Sequence, residues 1–283
     1  MGTLGAAEIR DLAQQLGLHP SKSLGQNFVI DGNTCRKIVR LSEVDQNDVV
    51  LEIGPGLGSL TLALLSTAAS VVAVEIDKRL AEQLPKTVAT HLPERVSELH
   101  VINQDALTVT QITPAPTALV ANLPYNVSVP VLLHLLENFP SIARGIVMVQ
   151  AEVAQRLAAK PGSKVYGVPS VKLRWWAESQ VSSTISREVF WPVPRVDSLL
   201  LGFTRREHSD LNDEALRRKT FAIIDSAFAQ RRKMLRSSLG AILGSSESAS
   251  ERLIAAGVDP TSRAENLTLE DFIAIARGIS LPS

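Results

Sequence analysis

The chain carries two short motifs whose residue types and spacing could do chemistry together. The first is a glycine loop, Gly54-Pro55-Gly56-Leu57-Gly58, and the second is the tetrapeptide Asn122-Leu123-Pro124-Tyr125, which begins 64 positions after Gly58. Glycines permit a tight turn and a close approach of the backbone to a ligand. Amide and backbone carbonyls can accept both N–H bonds of an exocyclic amine, and a tyrosine ring can stack on a planar base. Together the motifs favour methyl transfer from S-adenosylmethionine to the N6 nitrogen of adenine.

The spacing within the glycine loop distinguishes between cofactors. The loop reads G-x-G-x-G, whereas loops that bind a dinucleotide read G-x-G-x-x-G. Glu75 lies 19 positions after Gly56, where a carboxylate can accept hydrogen bonds from the ribose hydroxyls of an adenosine. Asp105 follows the next apolar run and is placed to meet the adenine amino group. These residues favour an adenosine-type cofactor that has no pyrophosphate.

The tetrapeptide supplies what an adenine acceptor needs. The N6 lone pair is delocalised into the ring, so the nitrogen is a poor nucleophile until its two N–H bonds are held. The side-chain carbonyl of Asn122 and the backbone carbonyl of Leu123 can accept them, and Tyr125 can stack on the base. Phe190, in the segment Phe190-Trp191-Pro192-Val193-Pro194, could close the other face of a flipped base. We expect no metal, because this chemistry needs none and the five histidines show no metal-ligand spacing.

Apolar runs alternate with helical patterns from Val49 to about Phe203. This alternation predicts an α/β fold, a Rossmann-like doubly wound sheet. Five runs read as buried parallel strands: Val49–Ile53, Val71–Glu75, Leu99–Ile102, Thr117–Ala121 and Ile146–Gln150. Four segments read as the intervening helices: Leu60–Leu65, Lys78–Val88, Val129–Glu137 and Glu152–Ala159.

The pattern changes after Thr204. Val181–Arg187 and Ser198–Thr204 read as later strands at one edge of the sheet, and the polar stretch that follows contains no strand pattern. We therefore predict a methyltransferase domain over 1–205 and a small all-helical domain over 206–283, which would bind RNA or the ribosome. Four segments read as its short helices: Leu216–Phe228, Lys233–Leu243, Ser248–Ala256 and Thr268–Ile279.

Composition limits the class of protein. Basic and acidic residues number 29 each, which argues against a general polyanion binder but leaves room for a local basic face. A single cysteine, Cys35, excludes an internal disulfide and fits a reducing cytoplasm. No apolar run approaches a membrane span, and Met1–Arg10 has no signal-peptide pattern, so we expect a cytoplasmic protein with no membrane contact. No feature of the sequence requires more than a monomer.

Several further segments carry a resemblance to a known family. They include Lys22-Ser23-Leu24-Gly25-Gln26-Asn27-Phe28, Glu52–Thr61 around the glycine loop, Asn122–Ser128, Val193-Pro194-Arg195-Val196-Asp197-Ser198, Ala227–Lys233 and Arg263-Ala264-Glu265-Asn266-Leu267. With these motifs the chain resembles the ribosomal RNA adenine N6-dimethyltransferases of the KsgA (RsmA) type, from about Lys22 to Phe272.

The resemblance implies a substrate and a set of site residues. Two adjacent adenosines in the 3′-terminal hairpin of 16S rRNA would each receive two methyl groups, within an immature 30S subunit. Tyr125 and Phe190 would enclose the flipped adenine, and Asn122 with Leu123 would hold its amine. The cofactor would be bound by Gln26, Asn27, Val29, Gly54, Gly56, Glu75, Ile76, Asp105, Ala106 and Asn122.

A basic segment near the start of the helical domain suggests where RNA would bind. Between Glu214 and Arg236 there are seven basic residues and two acidic ones. Such an excess can form a phosphate-binding face. We predict that Arg231, Arg232, Lys233 and Arg236 contact RNA.

Four other functions remain possible from the sequence. A resistance-type enzyme that methylates large-subunit rRNA would share both the glycine loop and the tetrapeptide. The Gln-Arg-Arg-Lys segment and the Arg263–Leu267 segment favour the small-subunit rRNA enzyme instead. A catalytically silent assembly or transcription factor could use the same fold. DNA adenine methylation is chemically possible because the tetrapeptide reads the base and not the sugar. A nicotinamide-dependent oxidoreductase is disfavoured by the glycine spacing.

Overall fold

A seven-stranded mixed sheet organises the structure, a computed structural model that describes residues 4–18, 27–207, 210 and 212–278. Its strand order is β4-β3-β2-β5-β6-β9-β7, and β1 and β8 form a separate two-stranded antiparallel sheet. The strands are β1 (Phe28–Val29), β2 (Val49–Ile53), β3 (Ser70–Glu75), β4 (Leu99–Asn103), β5 (Ala118–Asn122), β6 (Arg144–Gln150), β7 (Ala177–Ile185), β8 (Phe190–Trp191) and β9 (Ser198–Arg205).

The first five strands of the large sheet are parallel. Each of the pairs β3–β4, β2–β3, β2–β5 and β5–β6 runs in the same direction, and β9 runs antiparallel to β6. Parallel strands covered by helices are buried on both faces and therefore read as continuous apolar runs. Four of the five predicted strands are buried in this way, whereas β4, at the edge of the sheet, has no buried residue. All five occur within two residues of their predicted bounds. The prediction of a Rossmann-like α/β fold is confirmed.

Helices connect the strands and continue after the sheet. They are α1 (Ala6–Gln15), α2 (Gly32–Ser42), α3 (Ser59–Leu65), α4 (Lys78–His91), α5 (Ser128–Asn138), α6 (Ala151–Leu157), α7 (Val168–Trp176), α8 (Glu214–Ala229), α9 (Leu235–Ser238), α10 (Gly240–Leu243), α11 (Ser246–Ala255) and α12 (Leu269–Arg277). Within the described ranges, no helix is both long and apolar enough to cross a bilayer.

The helical predictions differ from the structure in one predicted helix and in three helices that were not predicted. The predicted helix Lys233–Leu243 is interrupted, because Arg231–Lys233 form a turn and the helical segment breaks before Gly240, a poor helix former. Helices α1, α2 and α7 were not predicted. Helix α7 has Pro169 at its second position, where the first turn tolerates a proline, and it ends in two buried tryptophans that pack as core residues.

Two compact units make up the chain. The first contains the residues up to Ala154 together with Ser179–Arg205, and it holds the parallel strands and the carboxyl ends described below. The second contains Gln155–Glu178 together with the residues from Arg206 onward. The sequence predicts one boundary, between residues 205 and 206. The second unit begins at that boundary but also includes Gln155–Glu178, which contains α7.

Candidate active site

The carboxyl ends of β4, β3, β2 and β5 meet at one edge of the sheet and border a cavity of about 200 Å³. Ligands of open α/β sheets bind at this edge. Nine predicted residues line the cavity: Asn27, Val29, Gly54, Gly56, Glu75, Ile76, Asp105, Ala106 and Asn122. The tenth predicted cofactor residue, Gln26, lies outside the described residues. The structure therefore brings together side chains from four strand ends and from the segment before α2.

The glycine loop wraps the end of β2 in a backbone conformation that L-residues rarely adopt. Gly54 has φ +65° and its N–H donates to the Val74 carbonyl at 2.9 Å, which ties the loop to the neighbouring strand. Gly56 has φ +59°, and a Cβ added there would lie 2.9 Å from the Phe28 ring. Both conformation and space thus require glycine at position 56, and the loop backbone can lie directly against a ligand.

Glu75 is held in place by backbone donors. Its carboxylate oxygens accept the N–H of Gly56 at 3.2 Å and the N–H of Asp77 at 2.9 Å. The residue is only 5% exposed, and this burial raises the carboxyl pKa while the N–H donors lower it. The carboxyl group is therefore fixed beside the glycine loop, with lone pairs left to accept hydrogen bonds from ligand hydroxyls.

Glu52 is a site residue that the sequence reasoning did not assign. It lines the cavity, is 1% exposed, and accepts a hydrogen bond from the Thr61 hydroxyl at 2.7 Å. Burial raises the pKa of its carboxyl to about 8, with a smaller raising effect of Glu75. The signal was available, because Glu52 stands two positions before Gly54 at the end of an otherwise apolar strand.

The rim on the β4 side combines one carboxylate with apolar side chains. Asp105 uses one carboxylate oxygen to accept the N–H of Leu107 at 2.9 Å, which shapes the turn after β4. Ile76 and Leu107, which also line the cavity, are unusually exposed for large apolar residues. Exposed apolar groups flanking a polar acceptor form a suitable surface for a flat heteroaromatic ring.

Asn122 joins the sheet edge to the segment that precedes α2. Its side-chain amide nitrogen donates to the backbone carbonyl of Asn27 at 3.0 Å. An amide N–H must face the carbonyl in this bond, so the side-chain oxygen Oδ1 is the end that remains to accept. Asn122 also lines the cavity. The arrangement therefore presents a hydrogen-bond acceptor at the boundary of the cavity.

Of the other three residues of the tetrapeptide, two lie outside the cavity lining and are held by contacts elsewhere. The N–H of Leu123 donates to the Met148 carbonyl at 3.1 Å, which fixes the backbone to β6. The Tyr125 hydroxyl lies 2.6 Å from the hydroxyl of Ser198, the first residue of β9. Pro124 lines the cavity, whereas Leu123 and Tyr125 do not.

The predicted position of Phe190 needs a correction. Its side chain is 1% exposed and belongs to the hydrophobic core, because β8 pairs with β1 and places Phe190 opposite Val29. The neighbouring Trp191 is the partly exposed member of the strand, and it stacks on Phe28 with ring centroids 6.2 Å apart. In this structure the Phe190 ring is a core residue and does not face a base.

The second unit contains the basic segment, and much of its charge is already engaged. Arg231 donates to the Glu265 carboxylate at 2.9 Å and to the Lys164 carbonyl at 2.5 Å. Arg218 pairs with Glu214, and Arg217 lies over two aromatic rings. Arg232, Lys233 and Arg236 are exposed, and of these Arg236 lies within electrostatic range of Glu247 and Asp259. Arg232 and Lys233 are therefore two exposed cations that form no ion pair with any residue that the structure describes.

Among the residues that the structure describes, no group of three or more histidine, cysteine, aspartate or glutamate side chains is arranged to hold a metal ion.

Comparisons with known proteins place the chain in a family. A family model described as ribosomal RNA adenine dimethylase matches residues 18–280. A protein named ribosomal RNA small subunit methyltransferase A from Leifsonia xyli is 59% identical over 273 residues, which cover 96% of this chain and 97% of that protein. The protein of the same name from Cutibacterium acnes is 54% identical over 283 residues, 99% of this chain and 95% of that protein.

Solved structures agree on the fold. A dimethyladenosine transferase from Plasmodium falciparum superposes with a TM-score of 0.75 at 25% identity, covering 87% of this chain and 94% of that one. The 23S rRNA methyltransferase ErmE superposes with a TM-score of 0.66 at 26% identity, covering 89% and 98%. The chain therefore belongs to the ribosomal RNA adenine dimethylase family, a family of RNA methyltransferases.

Proposed function

We propose that this enzyme uses S-adenosylmethionine to dimethylate the N6 amines of two adjacent adenosines in the 3′-terminal hairpin of 16S rRNA. The observation that carries the proposal is the orientation of Asn122. Its amide nitrogen is occupied by the Asn27 carbonyl, so Oδ1 is presented as an acceptor at the edge of the cavity that Glu75 and the glycine loop also line. The end of β5 would thus border the cofactor cavity and also supply the group that binds the target amine.

The residues of the cavity fit S-adenosylmethionine. Glu75, held by two backbone donors, is placed to accept from ribose hydroxyls, and Asp105 with Ile76 and Leu107 suits an adenine ring. Asn27, Val29, Gly54, Gly56 and Ala106 would supply backbone and side-chain contacts around the rest of the molecule. When bound, S-adenosylmethionine supplies an electrophilic methyl group on a sulfonium.

The acceptor chemistry belongs to the protein. Asn122 Oδ1 and the Leu123 carbonyl would accept the two N–H bonds of the target amine, which draws the nitrogen towards tetrahedral geometry and localises its lone pair. The remaining catalysis is the positioning of that lone pair towards the cavity. Tyr125 would stack on one face of the flipped base.

The names of the relatives favour the small ribosomal subunit. The proteins at 54–59% identity are named small subunit methyltransferases, whereas the 23S rRNA enzyme shares only 26% of its residues. We infer that the substrate is 16S rRNA within an immature 30S particle, in the cytoplasm, that the enzyme acts as a monomer, and that Arg232, Lys233 and Arg236 contact its phosphates.

The position of the methyl groups tests this proposal. Immature 30S particles lacking these methyl groups would be incubated with the enzyme and S-adenosylmethionine, and the 16S rRNA then digested and mapped by mass. Two adjacent N6,N6-dimethyladenosines in the 3′-terminal hairpin are expected. Methyl groups elsewhere in 16S rRNA would refute the proposed target, and tight cofactor binding without any product would indicate an assembly factor.

A further inference from the structure

The hydroxyls of Tyr125 and Ser198 form a close contact across 73 positions of the chain. Their oxygens are 2.6 Å apart, well within the range of an O–H···O hydrogen bond. Ser198 is completely buried. A buried polar side chain needs a hydrogen-bond partner, and the partner of the Ser198 hydroxyl is the Tyr125 hydroxyl.

The two residues differ in how firmly their backbones are held. Ser198 opens β9 and pairs with Gln150 of β6, and the preceding residue, Asp197, accepts the N–H of Ala151 at 2.9 Å. Tyr125 lies in the loop between β5 and α5, which is closed by a hydrogen bond from the Val127 N–H to the Pro124 carbonyl at 3.2 Å. The hydrogen bond therefore anchors the aromatic side chain of this loop to the first residue of β9.

An anchored phenol has consequences for the ring. The side chain is held at its backbone and at its hydroxyl, so both side-chain torsions are restricted. A free aromatic side chain would lose this rotational freedom on binding a base, which costs conformational entropy. The hydrogen bond also occupies the phenol hydroxyl, so that the ring offers its face to a ligand.

We propose that Ser198 is a positioning residue for base capture: its hydroxyl holds the Tyr125 ring in the orientation that stacks on the target adenine. This inference rests on the proposed function, because it assumes that Tyr125 contacts the flipped base. It adds a residue from a different strand, outside the tetrapeptide and outside the cavity lining. Removing the Ser198 hydroxyl leaves the ring in place but frees its orientation.

The test compares Ser198→Ala, Tyr125→Phe and the double variant with wild type. Methyl transfer to unmethylated 30S particles would be measured as kcat and KM, together with the Kd for S-adenosylmethionine by calorimetry. Each single variant should lower kcat about 3- to 10-fold, the effect of losing one hydrogen bond. The double variant should fall no further, because both changes remove the same interaction. The Kd for S-adenosylmethionine and the KM for the particle should stay unchanged.

A spectroscopic readout separates positioning from general damage. The chain has only two tyrosines, so ring-¹³C tyrosine gives signals from Tyr125 and from the buried Tyr166 alone. Ser198→Ala should shift the Tyr125 signals and leave those of Tyr166. Ser198→Thr, which keeps a hydroxyl, should restore most of the lost kcat and the wild-type Tyr125 signals.

Distinct results would overturn the inference. An unchanged kcat and unchanged Tyr125 signals in Ser198→Ala would refute it, as would a double variant whose loss is the product of the two single losses. If wild type methylates 30S particles and Asn122→Ala does not, such results remove only the role of Ser198. A wild-type enzyme that methylates no small-subunit RNA would remove both this inference and the proposed function.

Discussion

The side-chain amide of Asn122 donates to the backbone carbonyl of Asn27, which lies 95 positions earlier in the chain, at 3.0 Å. This bond joins the last residue of β5 to the segment before α2, and both residues line the same cavity. It also decides which end of the amide can accept a hydrogen bond. The segment before α2 thus orients the Asn122 side chain and also forms part of the cavity wall.

The orientation of Asn122 predicts a specific loss of catalysis. Asn122→Ala removes the acceptor Oδ1, and methyl transfer should fall by about 10²–10³-fold, the loss measured when a positioned hydrogen-bonding group is removed from an active site. The Kd for S-adenosylmethionine should change far less than kcat. Single-turnover methylation and calorimetry measure the two quantities. Asn47→Ala, at an exposed position, is the matched control, and equal losses in both variants would contradict the role of Asn122.

Gly56 and Gly17 share the same φ of +59° but differ in their surroundings. At Gly56 a Cβ would lie 2.9 Å from the Phe28 ring, whereas at Gly17 it would meet nothing within 4 Å. Gly17→Ala should cost only backbone strain, about 1–2 kcal/mol. Gly56→Ala should cost about 1–3 kcal/mol more and weaken S-adenosylmethionine binding. Urea unfolding and calorimetry measure both effects, and equal behaviour of the two variants would show that the Phe28 contact is unimportant.

Glu52 predicts a pH dependence of stability. Burial raises the pKa of its carboxyl in the folded protein to about 8, from an ordinary value of 4.5. Below pH 4.5 the carboxyl is protonated in both the folded and the unfolded state, so its ionisation does not change the free energy of unfolding. As pH rises from 4.5 to 8, the unfolded state ionises and the folded state does not, so the free energy of unfolding should fall by up to about 1.4 kcal/mol per pH unit.

Glu52→Gln should remove this part of the pH dependence. Glutamine can still accept the Thr61 hydroxyl and does not titrate, so the variant should gain stability relative to wild type as pH rises from 5 to 8. Urea unfolding at several pH values measures the difference. Glu94→Gln, at an exposed site, should follow wild type. A Glu52→Gln curve parallel to that of wild type would show that Glu52 ionises normally in the folded protein.

In the basic segment we expect some residues to contact phosphates and others to stabilise the fold. Arg232→Glu with Lys233→Glu should weaken binding to 30S particles and lower the slope of log K against log salt by about one per lost contact. Arg40→Glu with Lys86→Glu, at two exposed positions of the first unit, is the charge-matched control. Identical salt slopes in both double variants would argue against a phosphate-binding face at Arg232 and Lys233.

Arg231 should behave differently from its neighbours. Its guanidinium donates to the Glu265 carboxylate and the Lys164 carbonyl. Because this ion pair is partly exposed, Arg231→Gln should lower the stability of the second unit by no more than about 1 kcal/mol. Its effect on the salt slope should be small. Thermal unfolding and the same salt titration measure the two effects, and a lowered slope at unchanged stability would make Arg231 a phosphate contact.

The sheet and most of the cavity could be predicted because both depend on short-range patterns. Each of the five parallel strands is an apolar run, and polar residues such as Glu75 and Asn122 mark the strand ends that meet at one edge. The environment of Phe190 could not be predicted, since pairing between β8 and β1 decides which side of that strand is buried. The contacts Asn122–Asn27 and Tyr125–Ser198 join residues far apart in sequence, and no local pattern specifies them.

The most direct test of the central claim is transfer of labelled methyl from S-adenosylmethionine to unmethylated 30S subunits, with 50S subunits as the control substrate. Product nucleosides would be identified by mass for wild type, Asn122→Ala and Tyr125→Ala. We predict N6,N6-dimethyladenosine in 30S subunits alone, with little or none in either variant. Label in 50S subunits, or dimethyladenosine formed at the wild-type rate by Asn122→Ala, would contradict the account.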